Sequence, residues 1–141
     1  MTGGVGHDYL KRFHKYHFIV VSPSDHEMLP VSRTVGADQI VDEMLVKFTH
    51  NNEIDWLLPG VKPTGKRVEI AIVAIVKFID GKIAHEHIYW DQASVLVQVG
   101  LLDPTGLPVA GVEAARKVAD NTRPSNELMV RWADSTGKPM E

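Results

Sequence analysis

The 141-residue chain is long enough for one domain, and 44% hydrophobic with 23% charged residues is globular composition, which excludes global disorder. A net charge of -3 with no basic stripe argues against nucleic acid as a partner. The absence of cysteine excludes disulfides, thiol nucleophiles and thiolate metal sites, and it fits a reducing, cytoplasmic setting.

The Gly-rich start, Met1 to Gly6, reads as a loop and has neither the basic nor the apolar stretch of a signal peptide. Tyr9, Phe13, Tyr16 and Val20, with Leu10 beside them, predict a helix over 9–20, with Asp8 as a candidate cap. Pro23 to Pro30 reads as a loop. Gln39 to His50 reads as a strand in which neither face is cleanly polar, with a helix over 37–46 as the competing reading. A turn at Asn51-Asn52 and a loop through the prolines and glycines of 56–65 follow.

Arg67 to Ile79 is a long β-rich run. It is broken by Glu69 and Lys77 and is shorter than the ~20 residues of a membrane span, so no membrane partner is expected. Asp80-Gly81 between apolar runs is a two-residue hairpin signal, which makes Lys82 to Trp90 the returning strand. Gln92 to Val99 predicts a short helix ended by Gly100, and Leu107-Pro108 opens a last helix running to Asp120. One domain over 1–120 and a polar tail over 121–141 result. Both parities of Arg67–Ile79 are apolar, so one sheet face is left to a second copy, and a homodimer is expected.

The chemistry concentrates in 80–92. Alternation puts His85, His87, Tyr89 and Asp91 on one face of the strand and Glu86, Ile88 and Trp90 on the other. Such a polar row is either a solvated sheet face or the wall of a pocket for a small, largely apolar organic ligand. His85 and His87 have metal-ligand spacing, but no histidine follows them and cysteine is absent, so no metal and no cofactor is expected. A Gly-x-Ser-x-Gly elbow, a P-loop and a dinucleotide fingerprint are all missing. Acid/base chemistry remains. A carboxylate in a water-poor pocket can exchange protons with a bound substrate. Asp91 is the candidate for that role, with His87 as its partner because imidazole titrates near neutrality. Tyr89, His85, Glu43, His50 and Trp56 are the candidate substrate-binding residues.

Pro63-Thr-Gly-Lys66, the apolar strand after it, Phe78-Ile-Asp-Gly-Lys-Ile83, Tyr89-Trp-Asp-Gln92 and Gln98-Val-Gly100 together resemble the SnoaL-like branch of the nuclear-transport-factor-2-like superfamily, over about 9–102. The longer run Glu86 to Ser94, with Thr49-His50 and Leu58-Pro-Gly60, is similar to a group of fungal and bacterial SnoaL-like proteins. The resemblance implies an α+β fold in which a strongly curved antiparallel sheet forms a cone packed on helices, with a deep apolar pocket. It also implies activities such as polyketide cyclisation, dehydration or isomerisation, with Asp91 at the acid/base position. Only one helix precedes the first long strand here, where the family usually has one or two that close the cone. The N-terminal helices are therefore expected to be shortened, with a lid coming from the C-terminal segment or a partner subunit.

Overall fold

The computed structural model describes residues 2–140. It contains one antiparallel sheet of five strands: β1 (Thr2–Val5), β2 (Glu27–Val35), β3 (Gln39–Thr49), β4 (Arg67–Ile79) and β5 (Lys82–Trp90), in the order β1-β5-β4-β3-β2. Helix α1 (His7–Phe13) continues into a wider π turn at His14–Phe18, and α2 (Gln92–Gln98) and α3 (Val112–Ala119) follow β5. Both long strands and their hairpin lie where the sequence puts them. Asp80 and Gly81 both have positive φ, 51° and 72°, the conformation a two-residue hairpin turn needs.

The pattern of side chains gives the sheet two different faces. On the front face, Val46 and Phe48 of β3, Val68, Ile70 and Ile72 of β4 and Ile88 of β5 are buried under Phe13 of α1, Ile54, Leu57 and Leu58 of the following loop, and Val95 and Val99 of α2. On the back face only α3 is docked. Its Arg116 reaches Glu69 at 2.6 Å, and this ion pair holds the Glu69 carboxyl below its usual range. Further along that face Val41, Val73 and Ile75 are half-buried, without a helix over them among the described residues.

The strands differ from expectation at the two edges. Residues 27–30, read as a loop, begin β2, which pairs with β3 through a register shift between Pro30 and Ser32. Proline is admissible there because β2 is an edge strand and the bulge removes the need for its N–H. The Gly-rich start is β1, paired with β5. Gly3 is required by the pairing: its φ is 112°, and a Cβ there would lie 2.2 Å from the Glu86 carbonyl oxygen of β5. Asp8 is not the cap of α1, whose N-cap is Gly6. The last helix starts at Val112, four residues later than Pro108, and 121–140 form exposed turns in which Trp132 is solvent-facing.

The cone does not form. The sheet is open, with β1 and β2 as free edges, and it does not curve strongly around a central pocket. The physical reason lies in the register. β3 and β4 pair without interruption from Gln39↔Lys77 to Thr49↔Arg67, and the irregularities fall near the margins, at Pro30/Ser32 and Lys77/Phe78. Strong curvature needs bulges or glycine kinks inside the central strands, and β3 and β4 contain no glycine.

Where β5 ends, α2 takes over its hydrogen bonds. β5 pairs with β4 only as far as Trp90↔Ile72, which leaves the β4 backbone beyond it without a neighbour. The Gln98 amide fills that gap, accepting from Glu69 N–H and donating to Glu69 C=O, both at 2.9 Å. Ser94 steadies it, accepting from Gln98 at 3.2 Å and donating to the Gly111 carbonyl at 2.6 Å. This is one reason a Gln follows the strand at that spacing.

Candidate functional site

The sequence-predicted residues separate into distinct places. His85, His87, Tyr89 and Glu43 all lie on the back face of the sheet, and His87 also borders a cleft of about 420 Å³ at the β1 edge, shared with Tyr9 of α1. Glu43 and Tyr89 flank Val73 in one cross-strand row. The His85 and His87 rings stack with centroids 4.8 Å apart, and His87 meets the Tyr89 ring edge-on at 6.5 Å. Tyr89 is 44% exposed and Glu43 accepts a hydrogen bond from Ser32 Oγ at 3.0 Å. His50 is elsewhere, fully buried at the end of β3. Thr64 N–H donates to its Nδ1, so its proton sits on Nε2, which has no partner, and burial holds the imidazole below its usual pKa and therefore neutral near pH 7. Among the described residues no group of three or more His, Cys, Asp or Glu side chains could hold a metal ion.

Asp91 is exposed and serves as the N-cap of α2, accepting from Ser94 N–H at 3.2 Å. A cap of this kind has a specific mutational signature. Asp91→Ala should cost about 0.5–2 kcal/mol in urea unfolding, while Asp91→Asn should be nearly silent, because asparagine caps as well as aspartate. If Asp91→Asn instead abolishes an activity while stability is kept, the carboxyl has a chemical role beyond the cap.

Trp56 is the predicted residue that meets a cleft on the side of the helices. Its ring packs against Phe18 at 5.3 Å and edge-on against Trp90 at 5.5 Å. With Phe13, Tyr9, Arg12 and His17 from α1 and its π turn, Thr2 and Gly3 from β1, and Asp55, it lines a cleft of about 290 Å³ at the front of the molecule. Inside this cleft His17 Nδ1 donates to Asp55 Oδ2 at 2.7 Å. A second pair holds the same helical segment to the sheet: His14 Nε2 donates to Glu86 Oε2 at 2.8 Å, and the Glu86 side chain is only 13% exposed. Glu86 faces the helices, as strand alternation requires.

These residues were available to sequence reasoning. His14 and His17 stand three apart, beside the apolar positions that predicted the helix, and Asp55 precedes Trp56. What was missing was the pairing over long sequence separations, 38 residues for His17–Asp55 and 72 for His14–Glu86. The π turn is itself a local signal of the kind often found at functional sites.

The family described as SnoaL-like polyketide cyclase matches residues 35–99, just under half of the chain. No curated protein matches. Among solved structures, a candidate SnoaL-like polyketide cyclase from Jannaschia sp. CCS1 superposes with a TM-score of 0.57 at 16% identity, covering 67% of this chain and 64% of that one. TsrD from Streptomyces laurentii gives 0.52 at 18% identity, covering 66% and 62%. AclR from Streptomyces galilaeus, a candidate hydroxylase, is 29% identical over 56% of each chain, with a TM-score of 0.48. The chain spans less than two thirds of the length of each of the three. Residues 35–99 are similar in sequence to the SnoaL-like family, and about two thirds of the chain shares its fold with the Jannaschia and TsrD structures.

Proposed function

We propose that this chain binds a small, largely apolar organic molecule in the cleft between α1 and the 54–58 loop, and moves a proton on it through His17 and Asp55 as a cofactor-independent cyclase, isomerase or lyase. The carrying observation is the His17–Asp55 hydrogen bond of 2.7 Å within a cleft walled by Phe13 and Trp56. An imidazole oriented by a carboxylate is a general acid/base unit, and aromatic walls supply the apolar binding surface. The SnoaL-like match supports the reaction class. The alternative acid/base pair, Asp91 with His87, would work at the end of β5, outside this cleft. Non-catalytic ligand binding on the same fold is the second reading. It is favoured by Asp91, which the SnoaL-like resemblance implies as the acid/base residue and which is engaged as a helix cap. A fragment library screened by NMR should shift the His17 and Trp56 ring signals. Hits that move only His85, His87 and Tyr89 would overturn the cleft as the ligand site.

The partner reading adds a second copy of the chain. The uncovered half of the back face is apolar at Val41, Val73 and Ile75 and carries both Glu43 and the imidazoles of His85 and His87. A surface bearing both a carboxylate and a row of imidazole donors is able to complement itself across a two-fold axis. Light scattering at high micromolar concentration should give a dimer, and Ile75→Lys a monomer. A monomeric wild type would refute the assembly.

A further inference from the structure

We infer that the cleft selects ligands bearing an anionic oxygen group, such as a carboxylate, and that Arg12 is the residue that holds it. The inference rests on the cleft being the ligand site and adds to it the chemical class of the ligand. Arg12 stands out among the arginines of the folded body. Arg33 is paired with Asp42, Arg67 with Asp25 and Glu27, and Arg116 with Glu69. Arg12 lines the cleft and has no carboxylate partner among the described residues. The other charged side chains of the cleft, Asp55 and His17, are joined to each other through Asp55 Oδ2.

The chemistry of Arg12 points the same way. A guanidinium has only donors, and Arg12 is exposed at the mouth of a cleft whose inner wall is aromatic. A planar carboxylate offers two oxygens to the guanidinium fork while its apolar body lies against Phe13 and Trp56. Position on the helix supports the division of labour: Tyr9, Phe13 and His17 repeat at four-residue spacing, and Arg12 sits at the edge of that row, where the cleft meets solvent.

The test compares 2-naphthoate with 2-naphthamide, which match in shape and differ in charge, on the intact chain and on Arg12→Gln. Binding is read from the indole Nε1–H signal of Trp56, assigned with a Trp56→Phe variant. Naphthoate should bind about tenfold tighter than naphthamide, the weight of one charge-assisted bidentate contact. Arg12→Gln should remove that preference and leave naphthamide unaffected. The preference should also shrink as salt is raised. Equal affinity for both probes in the wild type, or a preference that survives Arg12→Gln, would overturn the anion assignment while leaving the cleft as a ligand site. Failure of both probes to move the Trp56 signal, with shifts appearing at another place, would overturn the cleft itself and this inference with it.

Discussion

His17→Ala is expected to slow turnover of a bound substrate by roughly 10²–10⁴, the usual contribution of a positioned acid/base group. At about 1.36 kcal/mol per decade this is ~3–5 kcal/mol of transition-state stabilisation. The loss should fall on kcat, because the apolar walls, Phe13 and Trp56, remain to bind the substrate. Asp55→Asn should cost less, since the amide oxygen still accepts from His17 Nδ1 and only the charge is lost. Both positions are partly exposed, so circular dichroism and urea unfolding should be close to wild type. An unchanged kcat in His17→Ala would end the role of this pair. A loss in Asp91→Asn with His17→Ala silent would move the chemistry to the end of β5.

Phe48→Ala is expected to remove about 3–5 kcal/mol of stability, a large share of the 5–15 kcal/mol that holds a typical domain. Phe48 is 2% exposed and lies in the front-face core beside Val68, its register partner on β4. The cost combines the apolar surface returned to water with the cavity left among well-packed neighbours. Ile54, Leu57 and Leu58, which carry the loop that forms one side of the cleft, belong to the same core. Ligand binding should therefore weaken together with stability. The urea midpoint should fall with little change in slope, whereas Val35→Ala on the exposed edge strand should be near neutral. A loss below roughly 1 kcal/mol for Phe48→Ala would show that the front face is not packed as described.

The candidate site was only partly legible in the sequence. Alternation correctly separated Glu86 from His85 and His87, because side-chain direction along a strand is a local property. It could not say which of the two faces would receive the helices. That depends on whether α1 and α2 cross in front of the sheet or behind it, and both faces of β4 are apolar enough to accept them. The residues that drew attention, His85, His87 and Tyr89, therefore lie on the face without α1, while Glu86 points toward His14. Asp91 was readable equally as an acid at a strand end or as a cap before a helix. The Ser94 N–H three residues later settled the hydrogen bond it makes.

Strand lengths, the Asp80-Gly81 turn and the stop at Gly100 were decided by the sequence alone, because each is set by interactions among neighbouring residues: apolar alternation, positive φ and a left-handed helix end. The two edge strands were hidden from it. β1 is the short Thr-Gly-Gly-Val and the apolar residues of β2 do not alternate, so neither carries a clear strand pattern, and both are strands only because β5 and β3 offer them hydrogen bonds. The open shape of the sheet, the meeting of His17 with Asp55 and the isolation of Arg12 were likewise decided only in the tertiary structure. Each depends on groups brought together from distant parts of the chain, and no short-range pattern encodes such distances.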